Sequence, residues 1–218
     1  MATLTVYPDA GDPGSTSVDG TVLYDGAALG TWSTTRDATA GTAKNTTADS
    51  IIFMRARLVT DSYRVTRGFF LFDTSALTSS ANISAATFSI AGTGTATADD
   101  DVSTIHIVSS TPAANTTLAL EDYDQVGSTS FASLAMASWV TTLDTYNGFA
   151  LNASGLANIS KTGVSKFATR NSRDLDNSAP TGTNQATCFL SDVAGTTSDP
   201  KLVITYELIP ATGFFQFM

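Results

Sequence analysis

Residues 68–72, "GFFLF", limit the fold of this 218-residue chain more than any other stretch. Successive side chains of an extended strand point to opposite faces, so Phe69 and Leu71 face one way and Phe70 and Phe72 the other. A strand that is apolar on both faces must be covered on both. That predicts a central position, with a loop or a neighbouring subunit over its outer face.

Elsewhere the period-two pattern carries one polar face. In "IIFMRARLV", Ile52, Met54, Ala56 and Leu58 share a face, with Arg55 and Arg57 opposite. In "KLVITYEL", Leu202, Ile204, Tyr206 and Leu208 align, leaving Thr205 and Glu207 outward, and Ala86, Phe88 and Ile90 repeat the pattern. Shorter strand candidates are residues 3–7, 18–24, 104–109, 147–151, 166–170 and 187–190. The expected fold is all-β, a single antiparallel two-sheet β-sandwich of jelly-roll type with at most one short helix. That helix is placed at "NASGLANIS", where Asn152 caps and Leu156 and Ile159 fall on one side. The expected core contains Phe70, Phe72, Phe88, Ile90, Phe149, Leu151, Leu202, Ile204 and Tyr206. Residues 1–209 read as one sandwich domain without linker or internal repeat. Pro210 then removes a ladder donor and Gly213 permits a turn, so residues 210–218 read as a hydrophobic C-terminal tail.

Charge and cysteine usage narrow the function. With 11 basic against 20 acidic residues and a net charge of −9, the chain has no basic footprint for a phosphate backbone, so no nucleic-acid partner is expected. Cys188 is the single cysteine, which excludes an intramolecular disulfide; it is expected to pack as a small apolar residue. The opening "MATLTVYPDAG" has neither a basic n-region nor an apolar run, and no segment is long enough to span a bilayer. Synthesis in a host cytoplasm without a signal peptide, and no membrane partner, follow as expectations.

Candidate chemistry is sparse. His106 is the one imidazole and sits in the strand-like "STIHIVSS", where an outward position explains it; no catalytic residue is assigned and no enzyme is expected. Glu121, Asp122 and Asp124 form an acidic loop with the carboxylates of a glycosidase but no visible spacing for one. Asp99, Asp100 and Asp101, and Asp174 and Asp176 with Asn177, are candidate oxygen ligands for a structural calcium, the only cofactor considered. The second group lacks the glycine and distant glutamate of a calcium loop, and solvated turns are the plainer reading. Trp32, Trp139 and Tyr123, with Tyr24 and Tyr146, are candidate glycan-stacking rings; packing in the core or plugging its ends is the alternative. Phe214, Phe215, Phe217 and Met218 are candidates for docking on a neighbouring subunit, against folding back over the outer side of Phe69 and Leu71.

Three segments in order, "RVTRGFFLFDTSALTSSANISAATFSI", "NGFALNASGLANISKTGVSKFATRNSRDLDN" and "TSDPKLVITYEL", span most of the chain. Together they resemble a family of extracellular carbohydrate-binding-module-like (DNRLRE-type) β-sandwiches and its phage virion relatives. The opening "MATLTVYPDAG", with "TVLYDG" and "TWSTTRDATAG", resembles the virion members. The resemblance implies a non-enzymatic virion structural protein. Its role would be capsid decoration or auxiliary protein, or head- or tail-fibre component, bound to other virion proteins or to copies of itself. The alternative it implies is a carbohydrate-binding module or adhesin that holds a glycan through exposed aromatics.

Overall fold

The computed structural model describes residues 1–100 and 103–209. Asp101 and the tail residues Phe214, Phe215, Phe217 and Met218 lie outside the described residues.

Twelve strands form one antiparallel sheet curled into a half-barrel. The strands are β1 (Ala2–Val6), β2 (Asp19–Asp25), β3 (Ala43–Asn45), β4 (Ser50–Val59), β5 (Ser62–Asp73), β6 (Ala81–Ala98), β7 (Thr104–Ser109), β8 (Ala132–Ala135), β9 (Tyr146–Ala150), β10 (Val164–Asn171), β11 (Thr183–Phe189) and β12 (Lys201–Leu208). The main path runs β1-β12-β6-β11-β4-β5-β10-β7-β8, while β2 pairs with β3 and β5, and β9 with β6. The ladders form two groups joined through β6: β1, β12 and β9 lie with its first part, and β11, β4, β5, β10, β7, β8, β2 and β3 follow from its second part. Strand β6 joins two neighbouring parts of the sheet: Ala81 to Ser89 pair with β12, and the residues from Gly92 onward pair with β11.

The curl brings β6 over β5 and buries Phe88 among aromatic rings. Its centroid lies 5.2 Å from that of Phe70, 5.3 Å from Phe72, 5.9 Å from Phe167 and 6.4 Å from Phe149. The expected core residues are buried here except Tyr206, which is half-buried at its edge, and Leu208 is exposed. The pairing of β12 with β6 shifts register between Thr205 and Tyr206, which ends the regular inward phase of that strand.

Strand β5 is covered on both faces, as its sequence requires. Phe69 and Leu71 enter a second apolar cluster with Val18, Val22, Trp32, Leu118 and Tyr123, so the cover comes from the chain itself. Near the middle of β5 the partner on one edge changes: β4 pairs with residues up to Arg67 and β10 from Gly68 onward. Thr169 of β10 fastens this fork, its hydroxyl accepting from Gly68 N at 3.1 Å and donating to Phe53 O at 2.9 Å.

The expected alternation in β4 fails. Phe53, Met54, Arg55 and Ala56 are all buried, because the ladder with β11 shifts between Ala186 and Thr187 and inserts an extra residue at Phe53. Arg55, expected outward, is 6% exposed and donates through Nε to Gln185 Oε1 at 2.9 Å. Among the described residues the expected helix, α2 (Ala153–Ala157), is joined by two further single-turn helices, α1 (Trp32–Arg36) and α3 (Ser172–Leu175). Asn152 caps α2 as its position suggests, accepting from Gly155 N at 3.0 Å. Helices this short contain too few residues for a 3.6-residue period to show in the sequence.

Candidate functional site

The outer face of β5 carries a buried ionic knot centred on Asp174. Strand periodicity sends Arg67 outward from β5, and Arg170 leaves β10 beside it. Asn171 starts α3 by accepting from Arg173 N at 2.8 Å, and the single turn that follows delivers Asp174 between the two arginines. Arg67 donates to Asp174 through Nε (2.9 Å) and Nη2 (2.7 Å), and Arg170 does the same at the same distances. Arg36 at the end of α1 donates through Nε to the Asp174 carbonyl at 2.7 Å. Two guanidinium forks thus share one carboxylate that is 1% exposed. Burial alone would raise the Asp174 pKa; the charge and hydrogen bonds of Arg67, with those of Arg170, hold it well below the usual carboxylate range.

The knot also fastens the segments that cover β5. Arg67 donates to Tyr123 O at 2.7 Å and Arg36 O at 2.9 Å, and its guanidinium lies 4.2 Å from the Tyr123 ring centroid. Tyr123 OH donates to Thr35 O at 2.7 Å. Above the knot lies an open recess of about 250 Å³ lined by Arg36, Asp37, Arg67, Asp124, Val126 and Arg170. Three arginines face Asp37, Asp124 and Asp174, so the recess is close to charge balance. Its most buried donors already serve Asp174 and backbone carbonyls, which makes it a structural clasp and not an open anion cradle.

The same accounting applies to the calcium candidates among the described residues. Asp174 is occupied by guanidinium groups, and Asp176 is exposed, next to Asn177 in the left-handed conformation. Asp100 accepts from Thr181 N at 3.2 Å and Asn184 Nδ2 at 2.6 Å, with Arg173 Nε 3.4 Å away. Burial would raise its pKa, but the hydrogen bonds of Thr181 and Asn184 and the charge of Arg173 lower it. Asp99 is exposed and accepts from Thr183 N at 2.8 Å. Among the described residues no group of three or more His, Cys, Asp or Glu side chains is arranged to hold a metal ion.

The glycan candidates are corrected by burial, since stacking needs a ring face open to solvent. Trp32 is 9% exposed, Trp139 7% and Tyr123 0%. Trp139 closes the inner core against Phe53, 5.1 Å away, and Trp32 packs edge-on against Tyr63 at 5.5 Å. Tyr24 lies 6.0 Å from Tyr123, and Tyr146 lies under Lys201 Nζ, 3.6 Å from its centroid.

The remaining titratable candidates are dispersed. His106 Nδ1 shares a hydrogen bond with Ser130 Oγ at 2.9 Å, and partial burial lowers its pKa. Asp122 is buried as a backbone cap, accepting from Ala113 N and Ala119 N, while Glu121 and Asp124 are exposed. Cys188 is buried in β11 as expected, and burial pushes its thiol pKa up. No described helix is long and apolar enough to cross a membrane. Comparison with known proteins finds no matching family model and no significant match to a curated protein.

Proposed function

We propose that this chain is a non-enzymatic structural protein of a virus particle, docking through its C-terminal end on a repeating lattice as a capsid decoration or auxiliary protein, or as a head- or tail-fibre component. The observation that carries the docking reading is an apolar end of the half-barrel. Strands β1 and β12 pair there with Ala2 opposite Tyr206, and Met1, Leu208 and Ile209 are exposed, the last two at 58% and 59%. From Ile209 the sequence continues into residues 210–218, with Phe214, Phe215, Phe217 and Met218. Such groups are a liability in water, and each one fully buried on a partner contributes about 1.5–3 kcal/mol before ordering costs.

The non-enzymatic reading is supported by the occupied guanidinium groups of the recess. The β6 layer lying over β5 supports kinship with jelly-roll sandwiches, and the virion setting rests on the resemblance of the three sequence segments. Other virion proteins or further copies of this chain are the partners this reading names. The carbohydrate-binding alternative is weakened by the burial of Trp32, Trp139 and Tyr123.

A chain truncated after Pro210 is expected to keep its circular dichroism spectrum and melting temperature while losing co-sedimentation with purified particles and self-association in analytical ultracentrifugation. Unchanged association, or unfolding of the truncated chain, would remove the tail from the docking role.

A further inference from the structure

Three carboxylates, Asp19, Asp192 and Asp199, line the seam between the N-terminal segment and the β11–β12 connection. Asp19 begins β2 and is buried, its oxygens accepting from Ser191 N at 3.0 Å and Ser191 Oγ at 2.7 Å. Ser191 Oγ also lies within donor reach of Asp9 O at 2.9 Å, and Asp192 Oδ1 accepts from Gly11 N at 3.0 Å. Asp199, 4% exposed, immediately precedes Pro200 and β12. Asp192 Oδ2 and Asp199 Oδ1 are sealed from solvent and accept no hydrogen bond. Among the described residues no lysine or arginine forms an ion pair with any of the three carboxylates. The ionisable neighbours are themselves acidic or weakly so: Asp9 and Tyr7 from the N-terminal segment, Asp49 before β4, Asp144 and Tyr146 at β9, and Cys188 in β11. Lys201 of β12 is turned over the Tyr146 ring.

Ionised together, these carboxylates repel through a poorly screened interior, and two of their oxygens stay desolvated without a donor. A bound proton cures both defects, because it removes a charge and turns an acceptor oxygen into a donor. A divalent ion is the other remedy, but the absence of a three-ligand group among the described residues favours the proton. We propose that this seam is a proton-operated latch, closed while Asp19, Asp192 and Asp199 carry protons and loosened when all three ionise. Burial, with the charges of Asp192 and Asp199, raises the Asp19 pKa to about 7. Burial and the Asp192 charge raise Asp199 to about 6, and burial with the Asp49 charge raises Asp192. The latch therefore works around neutrality. It controls how firmly residues 9–19 are held to residues 190–199.

Hydrogen exchange of the full chain, corrected for intrinsic rates, tests this at about pH 5.5 and pH 8.5. Protection of the Gly11 and Ser191 amides should fall about tenfold or more at the higher pH, while amides of central β5 keep theirs. In the Asp19→Asn/Asp192→Asn/Asp199→Asn variant, which keeps the shape without the charge, the pH dependence should shrink to less than about threefold. Protection that is independent of pH in the wild-type chain, or an unchanged fall in the variant, overturns the latch. Restoration of protection at the higher pH by calcium chloride overturns it in favour of a cation site. Carbon-13 titration of the wild-type carboxyl groups gives a second reading that needs no variant; it fails the proposal if every aspartate titrates below about pH 5.

Discussion

Asp174 shows how a single residue holds distant segments together. Removing one partner of a buried charge pair leaves the other uncompensated, and here two arginines depend on one carboxylate. Asp174→Asn should lower the unfolding free energy by about 3–5 kcal/mol in denaturant titrations at neutral pH. The folded-state pKa of Asp174 lies below its unfolded value of about 3.9, so its contribution is present above that pH and fades in more acid solution. The deficit of the variant should shrink correspondingly below about pH 4. A deficit under about 1 kcal/mol at neutrality would mean the knot contributes little net stability. In the sequence, "RNSRDLDN" reads as readily as a calcium loop, because oxygen-rich turns serve metal ions and guanidinium groups alike. Arg67 lies 107 positions from Asp174, and only the fold makes them partners.

At the scale of elements, the β4–β5 connection is the least legible. Val59 pairs with Ser62, so Thr60 and Asp61 alone make the turn, at φ 48° and 61°. Two-residue hairpins favour this mirror-image geometry because its twist matches that of the strands, and Asn-Gly suits it best. A β-branched threonine at positive φ is strained. Thr60→Asn/Asp61→Gly should therefore stabilise the chain by about 1 kcal/mol, read as a higher denaturation midpoint with an unchanged slope. No gain, or a loss, would show that the native side chains supply compensating contacts. Neither glycine nor proline marks this turn, and the bulge at Phe53 is equally silent. A register shift depends on the partner strand, and β11 lies more than a hundred residues away.

For the whole molecule, seven carboxylates with displaced pKa values fall into two opposing sets. Asp19, Asp192 and Asp199 have raised pKa values, so their contribution is largest in acid and is lost as pH rises through about 6 to 7. Asp9, Asp12, Asp100 and Asp174 are lowered, so theirs is present above about pH 4 and lost below it. The melting temperature should peak near about pH 5 and fall by roughly 2–4 °C or more by about pH 8. A flat or rising profile over that range would contradict the balance argued here.

What the amino-acid order determined by itself was the strand class and the inner core. Side chains alternate with period two wherever a strand faces oil on one side, so Ala86, Phe88, Ile90, Leu202 and Ile204 were legible, and "GFFLF" announced a strand covered twice. Local capping chemistry likewise marked Asn152. The tertiary structure alone decided the rest: that β6 is long enough to pair with both β12 and β11, that Trp32 and Tyr123 cover β5 instead of facing solvent, and that Asp174 meets arginines while Asp19, Asp192 and Asp199 line one seam without a cationic partner among the described residues. Periodicity reports which way a side chain points relative to its own strand. Which group stands opposite, and whether it bears a charge, depends on chain segments brought together from far apart in the sequence.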